Sequence, residues 1–389
     1  MKLKKALGWA AVAAALAFFI AAAASFAAGT DYCRLYRSSG PAKVSYENGK
    51  VLAIESEELE RDPDLGLLTG TQDVLVRIDS GTRAGTEVKI QNVLNYTTHF
   101  LLRKGDTVVL HVDQADAEHY IASIYSVDRV PALLLMAALF AAALCGIGGH
   151  RGLRSLLGMA FTIACIALVF IPLLYRGCSP ILAAALVAAA VISVSLFLLA
   201  GFSAKSMAAI AGSIAGLAIA ALLALAFESL IQVSGYTTAE ADSLLAIAGR
   251  SGMKAGELLF AAFLVSTLGA EMDIAISVAS AVCEVRSGNP SLGPGELFRA
   301  GMNVGRDMMG TMANTLILAF VGTSLNSMIL IYSLERSANQ ILNSNAIAIE
   351  IGQSLCAGLA VFLTVPAVAV LAALLCSRTA ARGSPSGSL

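Results

Sequence analysis

Two apolar runs in this chain carry oxygen-bearing side chains that a membrane helix rarely tolerates. The first contains Gly269-Ala270-Glu271-Met272-Asp273, followed by Ser277, Ser280 and Glu284. Asp273, Ser277, Ser280 and Glu284 recur at intervals of four, three and four, which puts them on one helical face. The second run opens Gly305-Arg306-Asp307-Met308-Met309-Gly310-Thr311-Met312-Ala313-Asn314-Thr315. By the same spacing Asp307, Thr311 and Asn314 share a face. An aspartate at the centre of a bilayer costs about 2.5–3.5 kcal/mol on insertion scales. It persists where it faces protein or water, so an intramembrane carboxylate marks a candidate functional site.

The two runs are joined by a short loop, which makes them antiparallel neighbours whose polar faces can meet. Asp273, Asn314 and Thr315 are then the deepest oxygen ligands, with Ser277, Asp307 and Thr311 beside them. An oxygen-only set suits a proton or a hard cation better than a soft metal. The leading expectation is a permease or ion-coupled transporter with Asp273 as the proton or cation carrier and Thr311, Asn314 and Thr315 as neutral ligands. The structural alternative is that Asp273 pairs with Arg306 or a backbone donor, that Arg306 and Asp307 mark a helix start at the interface, and that Ser277, Ser280 and Thr311 serve helix packing. Glu271 lies on a different face from Asp273, where it lines a second crevice or contacts another helix. An aspartyl protease would need Asp273 and Asp307 to share a proton, but they are expected at different depths, more than a helical turn apart. No P-loop, Ser/His/Asp set or HExxH is present, and the chain is read as a non-enzyme.

The elements that position these residues follow from composition. Of 389 residues 57% are hydrophobic and 14% charged, against about 45–50% and about 25% in soluble domains. The chain is therefore read as a polytopic α-helical membrane protein whose main partner is the lipid bilayer. Eight spans are expected: Ala6–Ala28, Pro131–Gly149, Ser155–Tyr175, Pro180–Phe202, Ser206–Phe227, Gly256–Val282, Met308–Ile331 and Ile347–Leu375. The first has a positive start and is too long for a signal-peptide core, although the small residues at Ala27 and Ala28 leave cleavage open. Lys2–Lys5, Arg151, Arg154, Lys205, Arg286, Arg299, Arg306, Arg378 and Arg382 gather on one side. That bias sets both termini in the cytoplasm of a bacterial inner membrane. The net charge of −1, with no basic stripe, argues against nucleic acid as a partner.

Between the first two spans the composition changes. Lys43–Glu55 reads as a strand with Asn48-Gly49 as a bulge or turn. Asp73–Asp79, Glu87–Gln91, Thr107–Val112 and Ile121–Val127 follow as short strands of period two. Five strands in about 90 residues suggest a small extracytoplasmic all-β domain, an OB-like barrel, without an aromatic-and-basic platform. A second functional expectation rests on it: an envelope sensor or assembly factor that binds an envelope protein or polymer. The expected organisation is an N-terminal helix over 1–29, the β-domain over 30–130, seven membrane helices over 131–377 and a disordered tail over 378–389. Thr238–Ile247 is read as a short amphipathic helix in an outer loop, and Pro294 as the first residue of a helix. Gly301, Gly305 and Gly310 are expected to admit a neighbouring helix, and Gly212 and Gly216 form a second small-residue pair.

The seven cysteines show no CxxC or Cys/His cluster, so no metal site or cofactor is expected. They are read as apolar packing residues, and a Cys33–Cys178 disulfide has no support. The stretch from Gly269 to Ala275 with Ser277 and Ser280, and the longer one from Gly305 to Thr315 continuing through Leu316-Ile317-Leu318-Ala319, resemble the YibE/F-like family of bacterial multi-pass membrane proteins. The order of parts resembles it too, over most of the chain short of the tail from Arg382. The resemblance implies the architecture above and Asp273, Asp307 and Asn314 as site residues. Glu271 departs from the small or apolar residue expected there.

Overall fold

The computed structural model describes residues 43–98, 100–114, 120–238, 241–334 and 337–381. The expected first helix, Cys33 and the tail from Arg382 lie outside them. The chain forms two compact units that meet between Ala143 and Leu144.

The smaller unit is a curled antiparallel sheet of five strands: β1 (Lys43–Arg61), β2 (Leu68–Ile78), β3 (Glu87–Leu94), β4 (Thr107–Gln114) and β5 (Tyr120–Val127), in the order β3-β2-β1-β4-β5. Period-two patterning sends Val74, Val76 and Ile78 of β2, Ile90 of β3, and Val108, Leu110 and Val112 of β4 into one core. The two outer strands, β3 and β5, curl until they touch, giving a half-barrel. Asn48-Gly49 is not a turn. β1 runs straight through it and on to Arg61, pairing with β4 over Lys43–Lys50 and with β2 from Gly49 onward. A Cβ on Gly49 would stand 2.9 Å from both Leu110 and Val76, so glycine is what lets the strand pass beneath them. Gln72 is fully buried and fully used. Its amide donates to Glu57 (2.8 Å) and to the Leu102 carbonyl (3.2 Å), while its oxygen accepts from Leu102 N–H (3.0 Å) and Asn92 (3.1 Å). This network pins the β3–β4 connection to the sheet.

The larger unit is helical. Its principal elements are α1 (Val130–Tyr175), α2 (Pro180–Ala200), α3 (Ala204–Ile231), α4 (Ala241–Ser251), α5 (Leu258–Gly288), α6 (Pro294–Thr323), α7 (Leu325–Ser333), α8 (Ala338–Leu342) and α9 (Asn345–Ala381); α1 begins before the unit boundary. Among the described residues five helical stretches are long and apolar enough to cross a membrane, or six if α6 and α7, bent by 60°, count as one. The runs expected as Pro131–Gly149 and Ser155–Tyr175 form one 46-residue stretch, broken where Gly149 adopts φ 52° and ψ −133°, a conformation that favours glycine. The seventh expected span starts earlier than Met308, because Pro294 opens α6 as anticipated. Glu296 accepts from Gly293 N–H at 2.9 Å and Leu297 is driven into the core. The amphipathic helix expected over Thr238–Ile247 exists as α4, a few residues later than expected.

α9 is the hub. It packs against α3, α5 and α6, and Ala357, Ala360, Val361, Thr364, Val365, Val368, Ala369 and Ala372 are completely buried. Two glycine pairs make this approach. A Cβ on Gly212 or Gly216 of α3 would fall 2.3 Å from Val368 or 2.0 Å from Thr364, and one on Gly305 of α6 would fall 2.1 Å from Val365. Gly301 is equally closed, against Val282 of α5 and Ala369. Gly310 meets nothing within 4 Å, so it does not serve the contact expected of it.

Substitution of Gly216 or Gly305 by valine should therefore cost about 1–3 kcal/mol through overpacking. The thermal midpoint of the detergent-solubilised protein should fall by several degrees, whereas Gly310→Val should leave it near the wild-type value.

Candidate functional site

α5 is polar on two sides, and the structure treats them oppositely. The inward side carries Leu264, Thr267, Leu268, Glu271, Ile274, Ala275 and Val278, all buried against the core shared with α3 and α9. Glu271 is 0% exposed, and neither carboxyl oxygen has a hydrogen-bond partner among the described residues. The Thr267 hydroxyl, one turn earlier, donates to the Leu264 carbonyl at 2.9 Å. An ionised carboxylate in such a place would carry a desolvation penalty of several kcal/mol with nothing to offset it. Its surroundings are mostly hydrocarbon, with the Thr267 side chain and the Cys356 thiol as polar neighbours. Chemically, the group can hold a proton or attract a small cation, and it is otherwise a liability. The expectation of a second crevice or helix contact for Glu271 understated its position, since it stands in the main core.

The outward side of α5 carries the residues singled out by spacing. Asp273 and Glu284 are exposed, and Ser277 and Ser280 are half-buried. On α6, Asp307, Thr311, Asn314 and Thr315 are all exposed, as is Gly310. The structure thus lays both expected faces on the outside of the unit and does not make Asp273, Asn314 and Thr315 deep ligands of an enclosed site. The reason is in α6 itself. Only Leu297, Gly301 and Gly305 are buried, and beyond Gly305 no small residue seats the helix on α9.

Register follows from the contact of Gly301 with Val282. Asp273 is level with Gly310, and Asp307 is three residues nearer the loop, about 4.5 Å in depth. This is less than the full turn expected. No hydrogen bond or ion pair joins Asp273, Arg306, Asp307 or Asn314 to a described residue, so neither the Asp273–Arg306 pairing nor a proton-sharing aspartate dyad is formed. Two hydroxyls are spent locally. Thr311 donates to the Met308 carbonyl (2.9 Å) and Thr315 to that of Thr311 (2.8 Å).

The matched residues run from 136 to 378, well over half of the chain, and the family is described as YibE/F-like protein. The chain belongs to the YibE/F-like family. Both polar faces, Glu271 and the glycine contacts lie within the matched region, and the β-sheet lies outside it. Comparisons with curated proteins and with solved structures returned no match.

The cysteines correct the sequence reading. Cys283, near the end of α5, and Cys376, near the end of α9, form a disulfide with their Cα atoms 5.7 Å apart. They stand 93 residues apart in sequence, so no local spacing could reveal the pair. Cys178 is free, and Cys33 lies outside the described residues. The groove beside the disulfide is lined by Lys205 and Arg286. No group of three or more His, Cys, Asp or Glu side chains fit to hold a metal occurs among the described residues.

If the outward stripe is wetted, as its charge requires in a bilayer, single cysteines at Asp273, Thr311 and Asn314 in an otherwise cysteine-free chain should react with a membrane-impermeant thiol reagent. A cysteine at Leu318 should react at least about tenfold more slowly. Equal protection at all four positions would mean that lipid or protein covers the stripe.

Proposed function

We propose that this YibE/F-like protein is a proton-coupled permease of the bacterial inner membrane. Glu271 carries the coupling proton, and the outward stripe of Asp273, Ser277, Asp307, Thr311, Asn314 and Thr315 lines the path of a small solute or cation. The observation that carries the reading is Glu271, an unpartnered carboxyl group closed inside a helical core of alanine, valine and leucine. A structural carboxylate would be bonded, and one retained without bonds is better explained by a ligand that comes and goes. The bend between α6 and α7 supports the reading, because transporter sites form where membrane helices are discontinuous. The chemistry asked of the chain is exchange of a proton at a carboxyl oxygen, with no covalent step, so it is not read as an enzyme.

The finer architecture belongs to the same proposal. Eight spans, counting α1 as two and an N-terminal helix before the sheet, keep the basic clusters on one side. This sets both termini in the cytoplasm and the β-domain outside. The strand order β3-β2-β1-β4-β5, with β3 meeting β5, supports an OB-like barrel.

A second reading, an envelope sensor or assembly factor, is favoured by one feature of the sheet surface. Tyr46 of β1, His111 of β4 and Tyr125 of β5 form an edge-on aromatic cluster with centroids 5.0–5.3 Å apart. Both tyrosines are more than half exposed. Such a surface suits a protein or polymer partner.

In proteoliposomes bearing a pH gradient, the wild type should move protons with its solute, and Glu271→Gln should abolish the coupling while leaving the protein folded. Asp273→Asn should weaken solute movement instead; retention of proton coupling by Glu271→Gln would end the proposal. The orientation has its own check. It sets Cys283 and Cys376 in a reducing compartment, so alkylation of acid-quenched cells should find both as thiols, the bridge seen in the structure forming only on oxidation. A bridged pair in growing cells would place that end of the bundle outside.

A further inference from the structure

The bend between α6 and α7 creates a second polar site, away from Glu271. α6 ends at Thr323 and α7 starts at Leu325, with Ser324 at the 60° corner. Ser324 is only 7% exposed, and its hydroxyl has no hydrogen-bond partner among the described residues. Its backbone is satisfied, since its N–H donates to the Phe320 carbonyl (3.1 Å) and its carbonyl accepts from Met328 N–H (3.0 Å). The unused group is therefore the side-chain oxygen alone. It borders a cavity of about 260 Å³ that is also lined by Ser327, Thr238, Ile347 and Glu350 of α9. Glu350 forms no ion pair with a described residue. It also borders an adjoining, almost wholly apolar cavity between Val321, Met328 and Leu355, so the polar end of the space is where a charged ligand would settle.

The charge inventory selects the ligand. The C-terminus of the 30-residue α6 points its carbonyl ends at the corner and carries roughly half a negative charge. Glu350 adds one carboxylate, and Ser324, Ser327 and Thr238 add neutral oxygens. The positive N-terminal ends of α7 and α9 also meet the space and offset the α6 end, which leaves the Glu350 carboxylate as its net charge among the described residues. Among the described residues no thiol or imidazole lines the polar cavity, which disfavours soft metals, and the single carboxylate among them is too little for a site built around Ca²⁺. We infer that the cavity at the α6–α7 bend, with Glu350 and the Ser324 hydroxyl as its principal ligands, binds a monovalent cation. Ser324 is the hinge residue of the bend, so occupation of the cavity would tie the corner to α9 and fix the angle between α6 and α7.

The inference stands apart from the proton reading at Glu271, and its test needs no transport. Binding of radiolabelled Na⁺ to the purified full-length protein in detergent should be saturable, with unlabelled K⁺, Rb⁺ and methylammonium as competitors. Glu350→Gln should weaken it at least about tenfold, and Ser324→Ala, which removes one oxygen and keeps the fold, by about threefold. Gly310→Ala, away from the corner and with open space around it, should leave it unchanged. Loss of binding in Asp273→Asn with retention in Glu350→Gln would move the cation to the α5–α6 stripe and overturn the inference, as would the absence of saturable binding by any of these cations. Binding that obeys these expectations in a protein that moves no protons would keep the cation site and remove the permease reading.

Discussion

Everything in the helical unit depends on how closely α3 and α6 come to α9. Between membrane helices there is no hydrophobic gain in excluding lipid, so association rests on van der Waals contact and on small residues that allow it. Here Gly212 and Gly216 admit Val368 and Thr364, while Gly301 and Gly305 admit Ala369 and Val365. The two glycine faces seat two helices on the same helix, and their product is a core of fully buried alanine, valine and leucine side chains. That burial gives Glu271 its meaning. The same carboxyl group on the outward side of α5, where Asp273 sits, would be an ordinary wetted acid.

Where the glycines stop, the character of the bundle changes. α6 is seated closely as far as Gly305 and then packs only through the half-buried Met308, Met309, Met312 and Leu316, with its polar face uncovered, until the corner at Ser324. The unit therefore has a rigid part around α9 and a less embraced part formed by the distal α6 and α7. A permease needs both: a fixed site, and an element able to take a second position relative to it.

Much of this was legible in the residues. Period-two alternation located the strands, the spacing of small and polar residues located the α5–α6 hairpin and the packing role of four glycines, and Pro294 with Glu296 gave a helix start, though as a helix of the loop and not as the start of the span. What failed did so for identifiable reasons. Asn48-Gly49 has the chemistry of a turn, but Gly49 is needed for its missing Cβ at a crossing of two strand pairings. Asp273 attracted attention because its face is polar throughout, whereas Glu271 stands among apolar neighbours. Polarity of a face indicates water or lumen, and it is the lone acid on an apolar face that enters a core. At the α6–α7 corner, Gly322-Thr323-Ser324 with Asn326 and Ser327 is a polar, glycine-bearing interruption of the run that the reading passed over. The cysteine pair leaves no local trace, since the cysteines meet only through the tertiary packing of α5 on α9.

The central claim is that Glu271 is kept for its exchangeable proton and not for the stability of the fold. The direct test is the thermal stability of Glu271→Met, a substitution of similar volume that removes both buried oxygens. An unsatisfied buried polar group costs about 1–3 kcal/mol, so the account predicts a variant more stable than the wild type by an amount of that order and devoid of proton coupling. A variant that is less stable than the wild type would show that the carboxyl group bonds within the core, and would contradict the account.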